Sequence, residues 1–241
     1  MPFFTTQMKL LIKLSGESLG KGKHGAEERY YEPTLSFIAE QIRMLLEQKH
    51  EVALVVGGGN LFRGHELTGT LAIERPTADY IGMLATVQNA LVLRDFFESK
   101  GIETRVSSSI SMPQICETYI PKRVLRHLEK GRVVIFAAGL GAPYFTTDST
   151  AVQRSLELKR DLLIMAKNGV DGIYTGDPHK DMTAKKIKSI TAGEVLEKNL
   201  KVADLSAIAL AKEHGLTIKV VGIEHISEAL NESIGSVVTP S

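Results

Sequence analysis

The stretch Val52-Ala53-Leu54-Val55-Val56-Gly57-Gly58-Gly59-Asn60-Leu61-Phe62-Arg63-Gly64 decides how the rest of the chain is read. Its first five residues are apolar, rich in valine and uncharged, the composition of a strand buried on both faces inside a parallel sheet. Three glycines then forfeit side-chain packing and cost backbone entropy. A chain sustains that where its backbone must approach something closely or take φ > 0. Bare N–H groups followed by Arg63 make a phosphate seat, and a tight strand-to-loop turn uses the same glycines.

Working outward, Leu10 to Leu14 reads as a first strand ending in the small-residue turn Ser15-Gly16-Glu17-Ser18. Lys13 lies inside that apolar strand, so either its ammonium meets an anion at the strand's end or the strand is an edge. Leu35, Ile38, Ile42, Leu45 and Leu46 fall at helical spacing, which completes a βαβ unit with the Val52 strand. The segment Lys21 to Arg29 reads as a solvated loop. Downstream, Thr77-Ala78-Asp79 is predicted to open a helix that Gly101 stops in a left-handed cap. Asp79 then sits in a first turn, where a carboxylate suits the dipole or reaches a ligand.

Ile102 to Val106 is a further strand, and Pro121 opens a helix, closed by Gly131, whose Lys122, Arg123, Arg126 and Lys130 form a solvated face. Arg132 to Ala137 is another buried strand, running into the glycine-rich turn Ala138 to Asp148. Thr147 or Asp148 is predicted to cap the next helix. Capping explains one such residue; Thr146, Thr147 and Asp148 together, after glycines and two aromatics, predict a ligand loop. Leu162 to Ala166, Ile218 to Val221 and Val237-Val238 read as later strands, Thr191 to Glu194 as a capping box, and Leu205 to His214 as a helix.

Helix and strand alternate without a repeat or linker, predicting one three-layer α/β/α unit over residues 1–241 with a mostly parallel central sheet. Lys plus Arg is 29 against 28 for Asp plus Glu, a net charge of +1, so broad capture of nucleic acid or an acidic membrane is not expected. The single cysteine, Cys116, excludes an intrachain disulfide framework and suits a reducing cytoplasm. No stretch approaches the ~18 apolar residues of a membrane span.

Ligands of such sheets sit beyond the carboxyl ends of the strands, so the turns at Ser15, Gly57, Gly139 and Asn168 are predicted to gather on one edge around phosphates. Neither the Gly-x-x-x-x-Gly-Lys-Ser/Thr nor the Gly-x-Gly-x-x-Gly fingerprint is present, which disfavours a P-loop enzyme or a dinucleotide dehydrogenase.

Five blocks, in order, resemble the bacterial uridylate kinases of the amino-acid-kinase superfamily. They are Lys13-Leu14-Ser15-Gly16-Glu17, Gly57 to Gly64, Asp79 with Gly82-Met83-Leu84-Ala85-Thr86, Pro143 to Asp148, and Val170-Asp171-Gly172 with Asp177-Pro178. The resemblance implies phosphoryl transfer from MgATP to UMP. It implies a donor site of Lys13, Leu14, Ser15, Gly16, Gly59 and Arg63 on the phosphates, with Asn168, Tyr174 and Asp177 around the adenosine. The acceptor site it implies is Gly58, Asp79, Leu140, Gly141, Ala142, Pro143, Tyr144, Phe145, Thr146 and Thr147. Acceptor contacts thus come mainly from the first two-thirds of the chain and adenosine contacts from the last third. Asp148 and Asp204 are implied as organisers of the lysines or of Mg²⁺, with no protein metal site assigned. A homohexamer and feedback inhibition by UTP are implied likewise. The chain departs from the family at Leu140-Gly141-Ala142, which replaces Thr-Gly-Asn or Thr-Gly-Asp, and in Lys21 to Glu28, so GTP activation is not expected. The rivals are an acylphosphate-forming kinase of the same fold, acting on acetylglutamate, glutamate, aspartate or carbamate, and a nucleotide sensor without turnover.

Overall fold

The computed structural model describes residues 7–22, 27–62, 72–178, 180–200 and 202–241. Strand β1 (Lys9–Leu14) leads through a 3₁₀ turn (Gly16–Leu19) to α1 (Glu32–Glu47) and β2 (Glu51–Val56). Then come α2 (Arg75–Ser99), β3 (Thr104–Ser108), β4 (Glu117–Thr118), α3 (Pro121–Glu129), β5 (Val133–Ala137), α4 (Thr147–Glu157) and β6 (Leu162–Lys167). The last part holds β7 (Ile173–Tyr174), β8 (Lys186–Ile187), β9 (Ser189–Thr191), α5 (Ala192–Glu197), α6 (Leu205–Glu213), β10 (Ile218–Gly222) and β11 (Ser236–Thr239).

Nine strands form one sheet in the order β4-β3-β5-β2-β1-β6-β10-β11-β9, and β7 pairs with β8 as a separate two-stranded piece. Within the large sheet all neighbours are parallel except β10 and β11. Alternate side chains of each strand enter opposite cores. Leu10, Ile12, Leu14, Val52, Leu54 and Val56 pack with α1 and α2. Leu11, Ala53 and Val55 pack with α3, α4, α5 and α6. Both faces are covered, so these strands carry the continuous apolar runs of a parallel sheet.

The expected elements are present with local shifts. The helix after the triglycine turn begins at Arg75 rather than Thr77, so Asp79 lies in its second turn and has no dipole role there. Strand β3 starts at Thr104 and runs on through buried Ser107 and Ser108. Gly101 takes φ +80° after α2, as a left-handed cap requires. The Thr191 and Glu194 side chains form the reciprocal capping box. Of Lys21 to Arg29, residues 23–26 lie outside the described residues, and Lys21 bridges Glu28.

The triglycine turn is fixed from below by a buried amide pair. Asn89 on α2 donates from Nδ2 to the Gly57 carbonyl at 2.6 Å and to Asn60 Oδ1 at 2.7 Å, and Asn60 Nδ2 reaches the Arg29 carbonyl at 2.8 Å. Asn89→Leu keeps the approximate volume but leaves those buried partners unpaired, a loss of about 2 kcal/mol. Urea unfolding should show a lower midpoint at unchanged m; an unchanged midpoint would mean the turn holds itself.

Candidate active site

The four central strands β5, β2, β1 and β6 lie side by side, and Leu14 is in register with both Val56 and Ala166. Their following loops therefore open on one edge, as the alternation predicted. Gly16, Gly57, Gly58 and Gly59, in the loops after β1 and β2, serve close approach, not unusual dihedrals. A Cβ on Gly16 would stand 2.6 Å from the Gly57 carbonyl and the Gly59 nitrogen, and one on Gly58 would stand 2.9 Å from the Ala85 methyl. Two loops are thus interlocked backbone to backbone. Leu14, the last residue of β1, is fully buried.

Lys13 occupies a central strand, so the edge-strand alternative falls and the buried-anion alternative holds. Its side chain lies on the Leu11 face, toward α4, where Nζ is 2.9 Å from Asp148 Oδ1 and 3.4 Å from Ser15 Oγ. Thr146, one residue earlier than predicted, is the N-cap of α4: its hydroxyl accepts from the Asp148 and Ser149 amides. That shift frees Asp148 to face the sheet. Thr146 also donates its hydroxyl to Asp204, which N-caps α6 by position without a side-chain bond.

Burial would raise the Asp148 pKa, but the charges of Lys13 and Lys167, the Lys13 hydrogen bond and the Asp204 amide outweigh it and hold the carboxyl below the usual range. Lys167, at the end of β6, is held below the usual lysine range by burial and by Lys13, against the pull of Asp148 and Asp204. Lys167 escaped the sequence reading. Its signal was a charge on the last residue of an apolar strand, the same oddity that Lys13 shows.

The loop from Ala138 to Thr147 is gripped on several sides. The Ala138 amide donates to Thr86 Oγ1 at 2.8 Å, and the Tyr144 amide donates to Asp79 Oδ2 at 2.8 Å. Arg75 Nε bonds both Asp79 oxygens at 2.8 and 2.9 Å. Ala138, Gly139, Gly141 and Tyr144 all take positive φ, between 54° and 77°. Leu140, Ala142, Pro143 and Thr147 are half-buried, whereas Tyr144 and Phe145 are 66% and 57% exposed, unusual for large rings.

On the other side of Lys167 lies a cavity of about 480 Å³ walled by Val170, Tyr174, Asp177, Leu200 and Val202 among others. Its size and mixed lining suit a nucleoside. Asn168 lines a further depression of about 380 Å³ beside Ser18, Thr34, Phe37 and Ile223. Arg63 lies outside the described residues. Among the described residues no cluster of three or more His, Cys, Asp or Glu side chains could hold a metal, and no helix is long and apolar enough to cross a membrane.

The amino acid kinase family model matches residues 8–222. The uridylate kinase of Paenarthrobacter aurescens is 48% identical over 239 residues, 98% of this chain and 95% of that one. That of Tropheryma whipplei is 51% identical, covering 92% and 94%. The crystal structure of UMP kinase from Bacillus anthracis superposes with a TM-score of 0.91 at 36% identity, covering 97% and 96%. The chain belongs to the uridylate kinases of the amino acid kinase family. Near-full-length similarity to uridylate kinases does not favour the acylphosphate-forming reading.

The buried pair gives this uridylate kinase site a pH signature. With the native Asp148 pKa depressed, its stabilisation is present above the unfolded value of ~3.9 and is lost as pH falls through the lower native value. The stability difference between wild type and Asp148→Asn, measured by denaturant unfolding, should therefore be constant near neutrality and shrink below about pH 4. A difference independent of pH would show that the carboxylate charge is not what Lys13 needs.

Proposed function

We propose that this chain transfers the γ-phosphoryl group of ATP to UMP, giving ADP and UDP. The observation that carries this reading is the position of the Lys13–Asp148 pair and Lys167. They stand between the cavity at Tyr174 and Asp177 and the loop Ala138 to Thr147. The donor takes the cavity with its adenosine and lays its phosphates across Lys167, Lys13, Ser15 and the amides of Gly16 and Gly59. Arg63 joins them by family resemblance. The acceptor takes Gly58, Asp79 and the loop from Leu140 to Thr147.

The chemistry asks little of a base. A phosphate monoester is largely dianionic near pH 7, since its second pKa is about 6. An oxygen of UMP is thus already a nucleophile: it attacks the γ-phosphorus, the bond to the β–γ bridging oxygen breaks, and ADP leaves with that electron pair. Two nucleotides bring about −6 of charge together. What the protein must supply is cations and oriented N–H groups, which lower the barrier by meeting charge on the transferring group. Asp148 holds the ammonium of Lys13 in place so that it need not reorganise.

Magnesium fits as a companion of the phosphates. Mg²⁺ keeps most of its waters and asks for only one or two protein carboxylates. Asp204, exposed beside Thr146, and Asp148 are the side chains that would hold it. When bound, it neutralises phosphate charge. By family resemblance the protein works in the cytoplasm, in pyrimidine nucleotide synthesis, as a UTP-inhibited homohexamer.

A coupled ADP-release assay with MgATP should show turnover with UMP far above CMP, dTMP, acetylglutamate and aspartate. Turnover of an amino acid with UMP untouched would replace the reading, as would binding of ATP and UMP without ADP release. Lys13→Met should lower kcat by roughly 10²-fold or more while leaving UMP binding within a fewfold. Equal loss of both would place Lys13 in ground-state binding.

A further inference from the structure

Helix α4 carries Asp148 at its start and, two turns on, a second buried charge that phosphoryl transfer does not use. Arg154 is 5% exposed. Its guanidinium lies 3.8 Å from the centroid of the Tyr119 ring, its Nη1 bonds Glu157 Oε2 at 2.5 Å, and its Nη2 donates to Ser109 Oγ at 2.9 Å. Ser109, the first residue after β3, donates its own hydroxyl to the Gly139 carbonyl at 2.6 Å. A Cβ on Gly141 would stand 3.2 Å from the Ser109 Cβ, so the same serine also packs under the second glycine of the loop. Tyr119 closes the arrangement by donating to Glu157 Oε2 at 2.5 Å.

We propose that Arg154, acting through Ser109, is a positioning residue that sets the shape of the loop from Ala138 to Gly141 and thereby the affinity for the acceptor nucleotide. The serine hydroxyl is an acceptor to Arg154 and a donor to Gly139, so each bond polarises the next. Only a guanidinium spans both ends: its planar fork reaches Glu157 with one nitrogen and Ser109 with the other, which a single ammonium cannot do. The loop needs such a hold. Ala138, Gly139 and Gly141 all sit at positive φ, strained for the alanine, and the Ser109 hydroxyl is what holds the Gly139 carbonyl. Stability alone is a poor account of the arginine, because its Nε is buried with no acceptor among the described residues. The cavity at Tyr174 and Asp177 does not include Arg154 or Ser109, so the donor side should not feel the tether.

The inference rests on the acceptor role of this loop given above, and the test separates the two. Ser109→Ala, Arg154→Gln and Arg154→Lys are compared with wild type in two assays. In steady-state kinetics the KM for UMP should rise about tenfold in Ser109→Ala and Arg154→Gln, as one lost hydrogen bond gives. The KM for ATP and kcat should stay within about twofold, and Arg154→Lys should fall between. In the second assay, hydrogen exchange on ligand-free protein, amides 138–142 should exchange about tenfold faster in both variants while strands β1 and β6 stay protected. Unchanged exchange in that loop with an intact core overturns the tether, and so does a loss shared equally between UMP and ATP. Because exchange needs no substrate, a wild type inactive on UMP would remove the acceptor reading and leave the tether to be judged by exchange alone.

Discussion

A charged nitrogen in the middle of a nine-stranded sheet has to be matched, and the match between Lys13 and Asp148 organises most of what surrounds it. Removing Asp148 would leave the Lys13 ammonium without its carboxylate, at roughly 3–5 kcal/mol. The geometry that satisfies it is demanding. Thr146 has to cap α4 so that Asp148 faces the sheet, and α4 has to lie across β1 on the Leu11 face. Once those are in place, the helix delivers the carboxylate to the sheet's carboxyl edge and Arg154 to the loop beyond β3. One helix thus serves both halves of the site.

The backbone does the rest of the positioning. Gly16, Gly57 and Gly58 let the β1 and β2 loops and α2 come within van der Waals limits that no side chain would allow. Asn60 and Asn89 take up the polar groups left over where these pieces meet. Left-handed dihedrals fall elsewhere, at helix ends such as Gly101 and in the Ala138 to Tyr144 loop among other places.

Much of this was legible in the sequence, for definite reasons. Buried strands such as Val52 to Val56 and helices with a regular apolar stripe such as Leu35 to Leu46 announce themselves through period, and four strand-to-glycine turns indicated the edge on which their loops gather. Two- and three-residue strands such as β4, β7 and β8 are too short to carry a period. Asp79 was misplaced on its helix because Arg75-Pro76 starts the helix earlier, and the residue turned out to accept from Tyr144 and Arg75. Neither Lys167 nor Arg154 stands out in the sequence, since burial of a single basic residue depends on which helix covers it. Asn168, next in sequence to Lys167, lines a different depression.

The interlocked turns carry an implication for how this enzyme can change. A side chain at Gly16 collides with the main chain at Gly57 and Gly59, and one at Gly57 meets the Gly16 nitrogen at 2.9 Å. Neither obstacle is a flexible group that could swing aside. Substitutions at these positions therefore cannot be explored one by one; any tolerated variant needs a concerted displacement of both loops. The two glycine turns behave as a single part, whereas the exposed rings at Tyr144 and Phe145 have room to change one at a time.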